Sequence, residues 1–378
     1  MQYKLINTQD ELNSYLPHIE MAEYIAIDTE FNRDHKYYPN LSLLQICYKS
    51  GFAIVIDTLS RIDLTKLFQI IYNPKIIKIF HSCHQDLEIF YYKNGAIPQN
   101  LFDTQIASLL LYNIKEISYE KLVLSLLNIK IDKKLQTSNW ELRPLSKSQI
   151  KYAALDVLYL YDAYVILLEK LKNHSLFYIL SNIFKTLENT KRYDPNIEQQ
   201  QNKLFLDHHT SAQKYLISNL INWREEKALN FNISRNMVLK NHNIKEIAML
   251  KDINIDSLCN ILDYSIATDY LEEIQQIFTS SINIESPYHN DDKTLTQNAI
   301  DIYHILKIIV DIVAKKNNIN EHLMTSFIIN QADLKHIAKT YNTSILNDWR
   351  YDLIGKDIQD FLDGKVSVSM LKKEATLS

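Results

Sequence analysis

Strand-like periodicity is confined to the first part of this chain. Residues 24–31 (YIAIDTEF), 41–48 and 52–57 are short runs rich in β-branched and aromatic residues, and 76–80 is an apolar run of strand length. Residues 62–72 between them show helical spacing and end at Asn73-Pro74. Beyond about residue 190 no run reads as a strand. A chain patterned this way cannot be a uniform bundle or a uniform sandwich. It calls for an α/β domain followed by all-α modules.

Local signals refine that division. The link at 49–51 is short enough for a hairpin, which predicts antiparallel pairing of the second and third strands. Residues 103–127 have a helical pattern, and 146–173 reads as one long helix with Ser146 as N-cap. The polar, proline-containing segment 192–202 is the best linker. Residues 204–285 and 296–370 are helical throughout, separated by a polar break at 286–293. Trp223-Arg224 and Trp349-Arg350 each fall late in a helical run, a hint of two related modules. The expected domains are therefore 1–190, 204–285 and 296–371, with a frayed tail at 372–378.

Length and charge bound the function. At 378 residues the chain suits two or three domains of roughly 150 residues. Its 46% hydrophobic and 23% charged residues are those of a folded globular protein. The first residues, MQYKLINTQDELNSYL, lack the layout of a secretory signal, and the apolar stretches fall far short of a membrane span. Three cysteines without paired spacing give neither a disulfide framework nor a zinc site. A soluble cytoplasmic protein is expected, with no membrane partner. A net charge of −4 excludes coating nucleic acid by bulk charge, so any such contact must be local.

Three short elements carry chemistry. Asp28 and Glu30 lie two apart on a predicted strand, so both carboxylates project from one face. A divalent cation would relieve their repulsion, although an ordinary solvated strand end explains the pair as well. Tyr152 and Asp156 stand four apart on the long helix and share one face, as surface pairs commonly do. Asp86 follows the apolar strand across a short turn and sits near a helix start, where the dipole alone would favour an acid.

Taken together, the three match a known pattern. IAIDTEF, FHSCHQDLEIF and YAALDVLYL resemble the three exonuclease motifs of the ribonuclease D family, in the same order. The likeness extends to Asp103-Thr104-Gln105 and to residues 136–146, and covers essentially residues 1–190. It implies an RNase H-like 3′-5′ exonuclease fold, a mixed sheet flanked by helices. It further implies that Asp28, Glu30, Asp86 and Asp156 hold two divalent metal ions, Mg²⁺ or Mn²⁺, beside a catalytic Tyr152. The activity implied is release of 5′-mononucleotides from RNA 3′ ends, especially those of transfer RNA precursors. His84 departs from the small or polar residue common in the family. Residues 218–239 resemble an HRDC module, with Leu220, Ile221 and Trp223 as core and Arg224, Lys227, Arg235 and Lys240 facing RNA. The segment 347–362 (NDWRYDLIGKDIQDFL) resembles a second, divergent copy.

Other groups have plainer roles. His81, Cys83 and His84 lack a second ligand pair for zinc and read as structural residues near Asp86. Asp103 reads as an N-cap. Phe31 could stack on a terminal base or fill the core. Lys130, Lys133, Lys134, Arg143, Lys147 and Lys151 crowd the approach to the third motif and could guide a phosphate backbone. Two other functions stay open: a 3′-5′ DNA exonuclease, and a non-catalytic RNA-binding protein on an exonuclease scaffold. A monomer is favoured.

Overall fold

The computed structural model describes residues 2–132, 134–194, 197–206, 208–282, 296–371 and 374–377. The chain forms two compact units. One comprises Met1–Phe31, Leu41–Arg192 and Thr294–Ser378; the other comprises Asn32–Asn40 and Tyr193–Lys293.

In the first unit, β1 (Gln2–Ile6), α1 (Gln9–Glu20), β2 (Tyr24–Asn32), β3 (Asn40–Lys49) and β4 (Phe52–Asp57) come first. Then follow α2 (Thr65–Ile71), β5 (Ile77–Phe80), α3 (His84–Asn94), β6 (Leu101–Asp103), α4 (Thr104–Tyr112), α5 (Tyr119–Leu127), α6 (Lys147–Leu171) and α7 (Phe177–Leu187). The six strands make one mixed sheet in the order β1-β4-β3-β2-β5-β6. The expected hairpin is present: β3 and β4 run antiparallel from Leu43 opposite Asp57 to Lys49 opposite Phe52, and the turn holds Gly51 at φ 77°. That left-handed geometry suits glycine.

Two short edge strands have little sequence signal. β1 begins with exposed Gln2, Tyr3 and Lys4 and reads as a strand only because it lies parallel to β4. β6 is three residues long and parallel to β5. The helical pattern over 103–127 is broken in two, because Asn113 closes α4 in the left-handed region at φ 49°. Ser146 caps α6 as expected, in a capping box with Gln149.

The rest of this unit is mainly helical. It contains α14 (Gln297–Lys316), α15 (Glu321–Leu323), α16 (Gln331–Thr340) and α17 (Lys356–Leu362). It ends in an antiparallel pair, β7 (Val368–Leu371) and β8 (Glu374–Leu377), where a frayed tail was expected.

In the second unit the expected linker instead runs into a helix, α8 (Ile197–Leu204). It is followed by α9 (Ser211–Phe231), α10 (Arg235–Val238), α11 (Asn241–Ile247), α12 (Ile255–Cys259) and α13 (Tyr264–Ile282). Leu216, Ile217, Leu220, Ile221 and Trp223 of α9 pack in one core with Ile244, Ile274 and, from the segment after β2, Tyr37. Trp223 has the packing role predicted for it, with its indole N–H donating to Glu273 at 2.6 Å.

Candidate active site

The site begins at the middle of β2. Side chains two apart on a strand share a face, so Asp28 and Glu30 emerge together. Parallel pairing of β2 with β5, Ala26 opposite Ile79, brings the end of β5 beside them. The chain then turns sharply, with Ser82 at φ 62°, and α3 starts at His84, leaving Asp86 in its first turn.

Asp103 fixes that turn. Its carboxylate accepts the backbone N–H groups of Ser82 (3.2 Å) and Cys83 (2.8 Å) and caps α4 through Gln105 (2.8 Å) and Ile106 (3.2 Å). The N-cap role foreseen from sequence is therefore half of its work. From the opposite direction α6 brings Tyr152 and Asp156, one turn apart. Half-buried Tyr119 donates its hydroxyl to the carbonyls of Asp156 and, at 3.2 Å, Leu155, which holds this turn of α6.

The structure brings the predicted acids together. Carboxylate oxygens of Asp28, Glu30 and Asp156 all lie within 4.8 Å of one another. Asp86 lies outside that trio but beside it, 7% exposed, accepting the Thr29 hydroxyl at 2.5 Å. Burial pushes Asp28 up to about 7. Glu30 is held well above the usual carboxylate range by burial, then by repulsion from Asp28, Asp156 and Asp86. Asp86 is raised by burial and by Asp28, with the Thr29 hydrogen bond working the other way. Tyr152 belongs to the same field: burial and the charges of Asp156, Glu30 and Asp28 raise its phenol, which stays protonated. Acids crowded in this way favour binding a cation that takes oxygen ligands.

The surrounding residues sort differently. His81 engages both ring nitrogens, with Thr104 Oγ1 at 2.9 Å and the Ile117 carbonyl at 3.2 Å, and Cys83 is buried with its thiol raised well above the usual value. Both fit the structural role expected of them. Phe31 is half-buried at the end of β2. Lys130 and Lys134 line a surface cavity of about 620 Å³ with Glu120, Lys121 and Asp132. Lys147 and Lys151 are exposed, and Lys133 lies outside the described residues.

Two of the cations expected to meet RNA need correction. Arg143 has all five N–H groups engaged, by both Asp57 oxygens and the carbonyls of Ser42, Trp140 and Leu142, so no donor remains for a phosphate. Arg224 is 2% exposed and bonded to Leu239, Asn241 and Gln200, which removes it from any RNA-facing surface. Lys227 and Arg235 are paired with Glu273 and Glu225. Sequence reasoning passed over Thr29 and Tyr119 as supports of the site, because neither stands at a spacing that marks it. Both act through contacts set only by the fold.

Comparison with known proteins agrees with this architecture. A family model described as 3′-5′ exonuclease matches residues 3–172. Ribonuclease D of Bartonella henselae is 29% identical over 96% of this chain and 91% of its own length, and that of Zymomonas mobilis 28% identical over 100% and 98%. Ribonuclease D of Gluconacetobacter diazotrophicus is 34% identical over 68% of this chain and 65% of its own length. The crystal structure of Escherichia coli RNase D, described as an exoribonuclease involved in structured RNA processing, superposes with a TM-score of 0.83. It covers 96% of this chain and 99% of its own at 22% identity, which establishes a shared fold.

Proposed function

The chain belongs to the ribonuclease D family, and from that premise we propose that it is a metal-dependent 3′→5′ exoribonuclease releasing 5′-mononucleotides, with Asp28, Glu30, Asp86, Asp156 and Tyr152 as its active centre. One observation supports this most: the oxygens of three acids from two distant elements lie within 4.8 Å, with Asp86 and Tyr152 in the same electrostatic field. So dense a set of oxygen donors, kept from ionising freely by burial and, at Glu30 and Asp86, by repulsion as well, fits a hard cation.

Asp28, Glu30, Asp86 and Asp156 would hold two Mg²⁺ or Mn²⁺ ions. Bound there, such ions supply charge that acidifies a water and stabilises the departing 3′ oxygen of an in-line displacement at phosphorus. The chain's own residues do the positioning. Asp28, nearest in sequence to the strand centre, neighbours the other three acids and is suited to being shared. Tyr152, whose phenol is raised by burial and by the neighbouring acids, is suited to orienting the attacking water by hydrogen bonding.

The substrates we propose are 3′ ends of stable RNA, transfer RNA precursors among them, handled by a monomer in the cytoplasm. No described helix is long and apolar enough to cross a membrane, which accords with that setting. The helical segments 204–285 and 296–371 would act as accessory modules beside the catalytic segment 1–190, adding weak contacts that raise local RNA concentration.

The test is digestion of 5′-labelled single-stranded RNA with Mg²⁺, beside a DNA strand of matched sequence. Stepwise shortening from the 3′ end, mononucleotide products, preference for RNA, and loss of all release in Asp28→Asn and Asp156→Asn are expected. Undiminished release by either variant would place the chemistry elsewhere, and equal digestion of DNA would favour a general exonuclease.

A further inference from the structure

Residues 134–146, ahead of α6, form an irregular strap, and two of its side chains have no place in the chemistry above. Trp140 is buried at 3% exposure, and its ring stacks on that of Tyr152 with centroids 6.0 Å apart and planes at 30°. Aromatic pairs in this range attract, and the contact restricts where the phenol can point. The Trp140 indole N–H, however, is buried without a hydrogen-bond partner. Its own polar atom therefore does nothing to hold the ring in place.

What holds it is three residues further on. Arg143 Nε and Nη2 form a two-pronged pair with the Asp57 carboxylate at the end of β4, at 2.7 Å each. Nη2 also reaches the Ser42 carbonyl of β3 at 3.0 Å, which ties the guanidinium to two strands of the sheet. Nη1 turns back onto the strap and donates to the carbonyls of Trp140 at 2.7 Å and Leu142 at 2.9 Å. One planar cation thus joins the sheet to the backbone of Trp140. A lysine, a point donor without the fork, could not make both sets of contacts.

We propose that Asp57, Arg143 and Trp140 form a positioning device for Tyr152: the ion pair pins the strap to the sheet, and the strap presses the indole against the phenol. The proposal rests on the assignment of Tyr152 to the active centre. It gives Arg143 a role in the rate of the chemical step and none in gripping RNA.

A double-mutant cycle tests it. Trp140→Leu and Arg143→Lys are each made alone and together with Tyr152→Phe, with Trp140→Phe as the variant that keeps a ring in place. Thermal unfolding is recorded for all of them to establish that each is folded. Alone, Trp140→Leu and Arg143→Lys should lower kcat about 10- to 100-fold with KM for RNA little changed, as expected when a reacting group is misplaced by an ångström or less. Trp140→Phe should retain more activity than Trp140→Leu. In the Tyr152→Phe background neither substitution should cost more, since there is no hydroxyl left to position. A loss of the same size in both backgrounds, a change confined to KM, or unchanged kcat would overturn the device while leaving Tyr152 as assigned. Full activity of Tyr152→Phe by itself would instead remove that assignment, and the device with it.

Discussion

The Thr29 hydroxyl donates to Asp86 Oδ1 at 2.5 Å, joining the strand that carries Asp28 and Glu30 to the helix that carries the fourth acid. Thr29 lies between the two strand acids, so one hydrogen bond ties Asp86 to the strand that carries both. Thr29→Val keeps the shape and removes the donor. It should cost about 1–3 kcal/mol of stability, as for a buried acceptor left unpaired. It should also weaken metal use about 10- to 100-fold, as loss of an outer partner of a metal ligand commonly does. Activity measured against Mg²⁺ concentration checks this, and Thr29→Ser should restore most of it. An unchanged Mg²⁺ requirement in Thr29→Val would mean that Asp86 is placed by its helix alone.

Asp28 gives a pH prediction. Its carboxyl is raised from the usual 3.8 to about 7 by burial, so between those values the folded state holds a proton that the unfolded state has lost. The contribution of Asp28 to the stability of the metal-free protein should therefore fall as pH rises from about 4 to about 7 and level off above. Asp28→Asn cannot ionise, and its melting temperature without metal should exceed that of the parent at pH 8 by a few degrees. Added Mg²⁺ should stabilise the parent more at pH 8 than at pH 6, because at the lower pH it must displace the proton. Equal Mg²⁺ shifts at the two pH values would contradict the raised value.

Much of this was legible in the sequence, for identifiable reasons. Strands and helices with strong periodicity stand where expected, from the antiparallel turn at Gly51 to the capped start of α6 at Ser146. The candidate site residues stood out only through the likeness of three motifs in their order, because each spacing taken singly has an ordinary explanation. What was not legible depends on partners remote in sequence. β1 and β6 are too short to show a period and form only against β4 and β5. Arg143 and Arg224 looked like free cations because a sequence shows charge but not the partners that engage it. Only the fold places Asp57 86 residues away against the first and Gln200 24 residues away against the second.

Glu225 is 5% exposed in the second unit, where it accepts from Tyr37 and from Arg235 Nε and Nη2, both at 2.6 Å. Burial alone would raise its pKa, but the hydrogen bonds from Arg235 and Tyr37 and the Arg235 charge outweigh it and hold the group below the usual 4.5. A depressed carboxylate stabilises the fold above its unfolded pKa, and that contribution is lost as pH falls through the folded value. Glu225→Gln should lower stability by roughly 1–3 kcal/mol at pH 7. The gap between parent and variant should close as pH is lowered past about 4. Urea unfolding at pH 7 and pH 3.5 measures both. A gap that persists undiminished at pH 3.5 would show that side-chain shape, and not charge, is what matters there.

Arg224 separates a structural cation from an RNA-binding one. Its Nη1 donates to the Leu239 carbonyl at 3.0 Å and to Asn241 at 2.8 Å, and Nη2 to Gln200 at 2.8 Å, while burial and then the neighbouring Arg235 lower the guanidinium to about 10. Removing it leaves the Leu239 carbonyl without that donor, so Arg224→Met should destabilise the protein by about 1–3 kcal/mol. RNA affinity should follow a different rule. Each phosphate contact to a single strand adds roughly 0.7 to the slope of log affinity against log salt. Arg224→Met, measured well below its melting temperature, should leave that slope unchanged, whereas exposed Lys240→Ala should reduce it if the second unit touches RNA. A smaller slope in Arg224→Met, with stability intact, would mean that this guanidinium reaches phosphate after all, through an opening of the α9 core that the structure does not contain.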